Sequence, residues 1–127
     1  MLTDTKTAEF IYNLLAGHRF SLSCEKTLQA EIGKILMASG VEYEREVSLS
    51  DPVYSAPSKD CIDFMAGGVG MEVKIKGAAI AIFKQCERYC RYPEVKELIL
   101  ITNKSMGFPK EIFGKKTYLL PLGKRWL

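Results

Sequence analysis

The chain holds one histidine, His18, and one tryptophan, Trp126, in 127 residues. No C-x-x-C pair accompanies that single histidine, so the ligand spacings of a structural zinc site are missing. The four cysteines, Cys24, Cys61, Cys86 and Cys90, have no framework spacing and read as reduced thiols of a cytoplasmic protein. No apolar run approaches the ~18 residues of a membrane span. The first residues, Met1-Leu2-Thr3-Asp4-Thr5-Lys6, lack the basic and apolar regions of a secretory signal. Repeats, low-complexity tracts and linkers are also missing, which points to a single domain over 1–127.

What is present is ordinary in amount and uneven in placement. Hydrophobic residues make up 47% and charged residues 26%, the balance of a globular chain with one core. The net charge of +3 hides an asymmetry: from Lys104 onward six basic residues (Lys104, Lys110, Lys115, Lys116, Lys124, Arg125) face one acid, Glu111. That basic segment, 104–127, therefore carries +5 and the preceding 103 residues −2. An acidic site beside a basic segment suits a protein that holds a polyanion; a solubilising tail has the same composition.

Hydrophobic periodicity predicts an amphipathic helix over 4–16 (Phe10, Ile11, Leu14, Leu15) closed by Gly17, an accessory element within 1–17. A second helix is expected from Cys24 to Ser39, capped by Ser23 and stopped by Gly40, burying Leu28, Ile32, Ile35 and Leu36. Glu31 falls at the edge of that stripe, where a carboxylate either snorkels to water or faces a polar pocket. Val41–Leu49 reads as a strand and Asp51–Lys59 as a loop. A hairpin follows over 61–66 and 70–76, then a helix over 78–92 that ends before Pro93. Leu98-Ile99-Leu100-Ile101 has the continuous apolar run of a buried strand, and 117–122 reads as a last short one. The strand–helix–strand step implies a parallel pairing by a right-handed crossover, giving an α/β fold with a small mixed sheet flanked by helices.

The hairpin is the informative segment. If Gly67-Gly68 makes a two-residue turn, Asp63 lies opposite Glu72, with Ile62–Val73 and Phe64–Met71 paired on the reverse, core-facing side. A one-residue slip would bury the charges, so hydrophobicity favours this register. Two carboxylates about 4 Å apart repel by roughly 4 kcal/mol at the effective dielectric of a protein surface. A divalent cation reverses that sign, and oxygen ligands suit Mg²⁺ or Mn²⁺. Lys74, on the same face, is placed to orient a water or stabilise charge on a phosphate. A solvated strand face carries the same residue types.

These elements in this order resemble the PD-(D/E)xK nuclease superfamily over roughly 24–102. Asp63 in Cys61-Ile62-Asp63-Phe64 stands where the family has its strand carboxylate, and Glu72-Val73-Lys74 matches the (D/E)-x-K triplet. Glu31 fits the acidic residue that many members place on the preceding helix, and Gln85-Cys86-Glu87-Arg88-Tyr89 reproduces the Q-x-x-x-Y signature of the RecB-like branch. The proline of the family name is absent, since the residues before Asp63 are Asp60 and Cys61 and Ile62.

The resemblance implies a restriction-endonuclease-like core (α-β-β-β-α-β) with an extra N-terminal helix, and a metal-dependent deoxyribonuclease of recombination, repair or phage type. Asp63, Glu72, the Val73 carbonyl and Glu31 would hold one Mg²⁺ or Mn²⁺, with Lys74 and Gln85 beside it as catalytic groups. Lys76, Lys84, Arg88, Tyr89 and Arg91 would contact DNA, and small relatives that cut two strands suggest a dimer. A non-catalytic nucleic-acid-binding module or subunit on the same scaffold is the competing expectation.

Overall fold

A computed structural model describes residues 7–50 and 57–123. Their elements are α1 (Ala8–Ala16), α2 (Glu25–Ala38), β1 (Glu44–Ser50), β2 (Pro57–Ala66), β3 (Val69–Lys74), α3 (Ala79–Tyr89), β4 (Glu97–Thr102), β5 (Glu111–Ile112) and β6 (Lys115–Pro121). The six strands form one mixed sheet in the order β1-β2-β3-β4-β6-β5. The β1–β2, β2–β3 and β5–β6 pairs are antiparallel, whereas β3–β4 and β4–β6 are parallel. Among the described residues no helix is long and apolar enough to cross a membrane.

Both faces of the sheet are covered, which is what parallel central strands require. On one face α1 (Ile11, Leu15) and α2 (Leu28, Ile32, Leu36) pack on Phe64, Met71, Val73, Ile99 and Ile101. On the other, α3 (Ile82, Cys86, Tyr89) packs on Ile62, Met65, Leu98 and Leu100. The alternation of Leu98–Ile101 between the two cores explains its unbroken apolar run. Ile62 departs from the expected register: it joins the α3 core rather than sharing a side with Phe64 and Val73.

Local signals set the helix ends. Thr7 Oγ1 accepts from the Phe10 N–H at 3.2 Å, capping α1. At α2 the cap is Cys24, not Ser23; its Sγ accepts from the Thr27 N–H at 3.4 Å. The α3 helix ends at Tyr89, three residues short of the expected limit. Strand β2 begins at Pro57, inside the stretch expected to be a loop, while 51–56 lie outside the described residues. The two-residue strand β5 has too short a pattern to be foreseen; it extends the sheet as a hairpin with β6 through Glu111–Lys116 and Ile112–Lys115. Within the basic segment, β5 and β6 are thus integral to the sheet, and Lys124, Arg125 and Trp126 lie outside the described residues.

Candidate active site

The hairpin closes on glycine and opens on carboxyl groups. Gly67 has φ +61°, the geometry that a two-residue turn with positive φ at its first central position needs. The Gly68 carbonyl accepts from the N–H groups of Lys96 (2.7 Å) and Glu97 (3.1 Å), docking the turn on the start of β4. Ladder pairs then run Ala66–Val69, Met65–Gly70 and Phe64–Met71 and stop there. The next positions in that register are Asp63 and Glu72.

At those positions side chains take over the work of the ladder. The Val73 N–H donates to Asp63 Oδ2 at 2.8 Å, and the Asp63 N–H donates to Glu72 Oε1 at 3.2 Å. Each strand's carboxyl thus satisfies a backbone donor of the other, and the strands separate without leaving buried N–H groups unpaired. In β1, Glu46 falls opposite Asp63, between the Arg45–Phe64 and Val47–Ile62 pairs, and has φ +51°.

Three further groups close on the pair. The Tyr89 hydroxyl, on α3, lies 3.1 Å from Glu72 Oε2 and 3.1 Å from the Cys61 carbonyl, so its single proton serves two acceptors. Lys74 Nζ stands 3.5 Å from Glu72 Oε2. From the opposite face Glu25, at the first turn of α2, accepts from the Ile75 N–H at 3.0 Å and adds its negative charge to the field at Asp63.

Burial sets the electrostatics. Glu72 is 2% exposed. Desolvation, then the charge of Asp63, pushes its pKa from 4.5 up to about 8, against the pull of Lys74 and of hydrogen bonds from Asp63 and Tyr89. Asp63 also lies above the usual carboxylate range, chiefly through desolvation. Its hydrogen bonds to the Val73 N–H and to the Glu72 carboxyl, and the Lys74 ammonium, oppose that rise, while Glu25 adds to it. Two acids with a hydrogen bond between them behave as one unit, and near neutrality that unit keeps a proton. Burial also raises the Tyr89 hydroxyl, leaving it a donor, and pushes the Cys86 thiol up to about 12, so Cys86 is an inert neighbour.

The structure therefore brings together Asp63, Glu72, Lys74 and Tyr89, and it places the other expected residues elsewhere. Glu31 is turned away: its Oε2 accepts from the Ser21 N–H at 3.0 Å, and it is not among the charges acting on Asp63 or Glu72. The acid that α2 does bring near is Glu25, nearly two turns earlier. Its position in the first turn, beside the cap, was a readable signal. Tyr89 is wholly buried, so it belongs to the interior support of Glu72 rather than to an outer surface for DNA. Gln85 is half-buried one turn earlier on α3.

Lys76 is exposed just past the end of β3, and Lys84 is exposed on α3. Arg88 Nε lies 3.3 Å from Asp60 Oδ1, and the Arg91 guanidinium sits 5.4 Å from the centre of the Phe113 ring. Among the described residues, no cluster of three or more His, Cys, Asp or Glu side chains has metal-binding geometry. The oxygens gathered at this point are those of the Asp63 and Glu72 carboxyls. That small set suits Mg²⁺, which keeps several waters and takes one or two carboxylates from a protein.

No protein-family model matches the chain, and no curated protein or solved structure matches it.

Proposed function

We propose that this protein is a divalent-metal-dependent DNA nuclease of the PD-(D/E)xK type that hydrolyses phosphodiester bonds. The observation that carries the reading is the interlocked Asp63–Glu72 carboxyl pair, with the Lys74 ammonium 3.5 Å from Glu72, at the opening of the hairpin. The run α2-β1-β2-β3-α3-β4 supports it, being the element order of a restriction-endonuclease-like core.

In this reading Asp63, Glu72 and the Val73 carbonyl would hold one Mg²⁺ or Mn²⁺. When bound, the ion would lower the pKa of an attacking water and offset charge on the phosphate. The chain's own groups do the rest. Val73 N–H and Asp63 N–H fix the two carboxyls, and Tyr89 holds Glu72 from the interior. Lys74 aligns the water or stabilises the developing oxyanion. Glu25 replaces Glu31 as the acid of α2, and its charge would add to the negative field that draws a cation to Asp63. Gln85, Lys76, Lys84, Arg88 and Arg91 are carried as substrate contacts, the cations tracking phosphates.

A second reading rests on a specific observation: the carboxyl pair is already satisfied by Asp63 N–H, Val73 N–H and Tyr89. Such a pair can act as a structural lock in a non-catalytic nucleic-acid-binding module. Calorimetric titration with Mn²⁺, beside cleavage of junction, flap, duplex and single-stranded DNA with Mg²⁺, Mn²⁺ or chelator, separates the two. The nuclease reading expects metal binding by the wild type, none by an Asp63→Asn/Glu72→Gln double variant, and turnover that chelator stops. Equal Mn²⁺ binding by both proteins, or no turnover on any substrate, would refute it.

A further inference from the structure

A second chemically distinctive surface lies at the other side of the sheet. Between α1 and the β5–β6 hairpin is an open cleft of about 530 Å³ lined by Tyr12, Tyr118, Lys110, Lys116 and Glu111 among others. The Tyr12 and Tyr118 rings stand 6.0 Å apart at 43°, and both are only partly covered. They pack on the α1/α2 core, whereas Tyr89 approaches Glu72 from the α3 core, so the cleft and the carboxyl pair belong to different faces.

Alternation along β6 sorts its charges. Lys115 Nζ reaches back to the Tyr92 carbonyl at 2.7 Å, on the α3 side, which leaves Lys116 with Tyr118 on the cleft side. On the other flank, Glu97 Oε1 accepts from the Ala8 N–H at 3.2 Å, and Glu9 and Glu97 put negative potential at the Tyr118 hydroxyl. The cleft is thus an aromatic floor with Lys110 and Lys116 around Glu111 on one side and an acidic rim on the other. A nucleotide has the matching parts: a flat base, N–H donors on its edge, and a phosphate. An acidic peptide offers no flat base for the tyrosines and no N–H edge to face Glu9 and Glu97. Lys110 and Lys116 supply two cations on the cleft's wall, enough to meet more than one phosphate.

We propose that the cleft between α1 and the β5–β6 hairpin binds single-stranded nucleic acid, a base stacking on the Tyr12–Tyr118 pair and its phosphates meeting Lys110 and Lys116. This goes beyond the metal site and does not depend on cleavage.

The test uses the full chain in EDTA, so that no metal-dependent reaction intervenes, and the anisotropy of a fluorescein-labelled oligothymidine of roughly 12 nucleotides. Tyr12→Ala/Tyr118→Ala should weaken binding about tenfold or more, and Tyr12→Phe/Tyr118→Phe should bind as the wild type does. Lys110→Gln/Lys116→Gln alters only exposed side chains and should reduce the slope of log affinity against log salt by about 1.4. Asp63→Asn/Glu72→Gln should bind the oligomer like the wild type, which separates this site from the proposed nuclease centre. No binding by the wild type, an unchanged salt slope in the lysine variant, or binding lost in the carboxyl variant would overturn the proposal. So would equal affinity for oligoglutamate, which would assign the cleft to an acidic peptide, or for thymidine monophosphate, which would assign it to a free nucleotide.

Discussion

The two ends of one hairpin are built by opposite rules. At the closed end, backbone pairs with backbone, glycine supplies the positive φ of Gly67, and Gly70 lets Ile62 pack directly on β3. At the open end, carboxyl side chains replace the ladder, and beside it in β1 the positive φ falls on Glu46, a residue with a side chain to accommodate. The first end needs nothing more to be stable. The second holds two acids in a dry setting where they retain a proton, an arrangement that costs stability as the proton leaves. Local strain and unfavourable charge concentrated at one end of an otherwise regular hairpin are what functional sites display.

The contrast is sharpened most by removing the cation. Lys74→Ala leaves the closed end untouched and should reduce the proposed metal-dependent cleavage by about 10²–10⁴-fold. DNA affinity and the thermal midpoint should change little. Cleavage retained within a few-fold would strip Lys74 of its role.

Next in size is a dependence on pH. With the Glu72 pKa near 8 in the folded chain and 4.5 as its ordinary value, the folded state keeps a proton that the unfolded chain has lost throughout that interval. Stability of the metal-free protein should therefore be greatest below about pH 4.5 as far as this group is concerned, and fall as pH rises to about 8. Asp63, also raised, adds in the same sense. Glu72→Gln should flatten the fall, and thermal denaturation from pH 5 to 8 reads it. A flat wild-type profile, or an equally steep one in the variant, would contradict the buried-proton account.

Gly70→Ala addresses the closed end. Its Cβ would come within 2.6 Å of Ile62 Cδ1 and 3.4 Å of Met65 Sδ. Ile62 is fully buried, so its Cδ1 can yield only into packed neighbours; less the gain from a stiffer unfolded chain, a net loss of about 1 kcal/mol is expected in urea denaturation. Unchanged stability would mean that Ile62 is not held against β3 as described.

Much of this was legible in the residues. Turn glycines, a fixed hairpin register and the apolar run of β4 each follow from a local signal that tertiary packing reinforces. Misreadings arose where a choice was made in three dimensions. Glu31 and Glu25 both lie on α2, and periodicity does not say which turn of a helix meets the hairpin's opening. Tyr89 and Gln85 share one signature, yet only the course of α3 across the sheet decides that the hydroxyl is buried against Glu72. Ile62 changes sides because the strands part at Asp63, an event caused by side chains bonding to backbone. The strand β5 exists because β6 gives it an edge to pair with, not because Glu111-Ile112 has strand character of its own.

The smallest expected effect compares the two ends directly. Positive φ disfavours a residue with a Cβ by roughly 1–2 kcal/mol, and glycine escapes most of that. At the open end Glu46→Gly should therefore relieve strain. The greater freedom of glycine in the unfolded chain opposes that relief, so the net gain should be no more than about 1 kcal/mol. At the closed end Gly67→Ala should lose about 1 kcal/mol by the same reasoning reversed. Urea midpoints at constant m-value measure both. Opposite signs would place the strain at Asp63's neighbour in β1, beside the carboxyl pair. A loss of stability in both variants would mean that Glu46 makes contacts worth more than its backbone strain, and the open end would then be no more strained than the closed one.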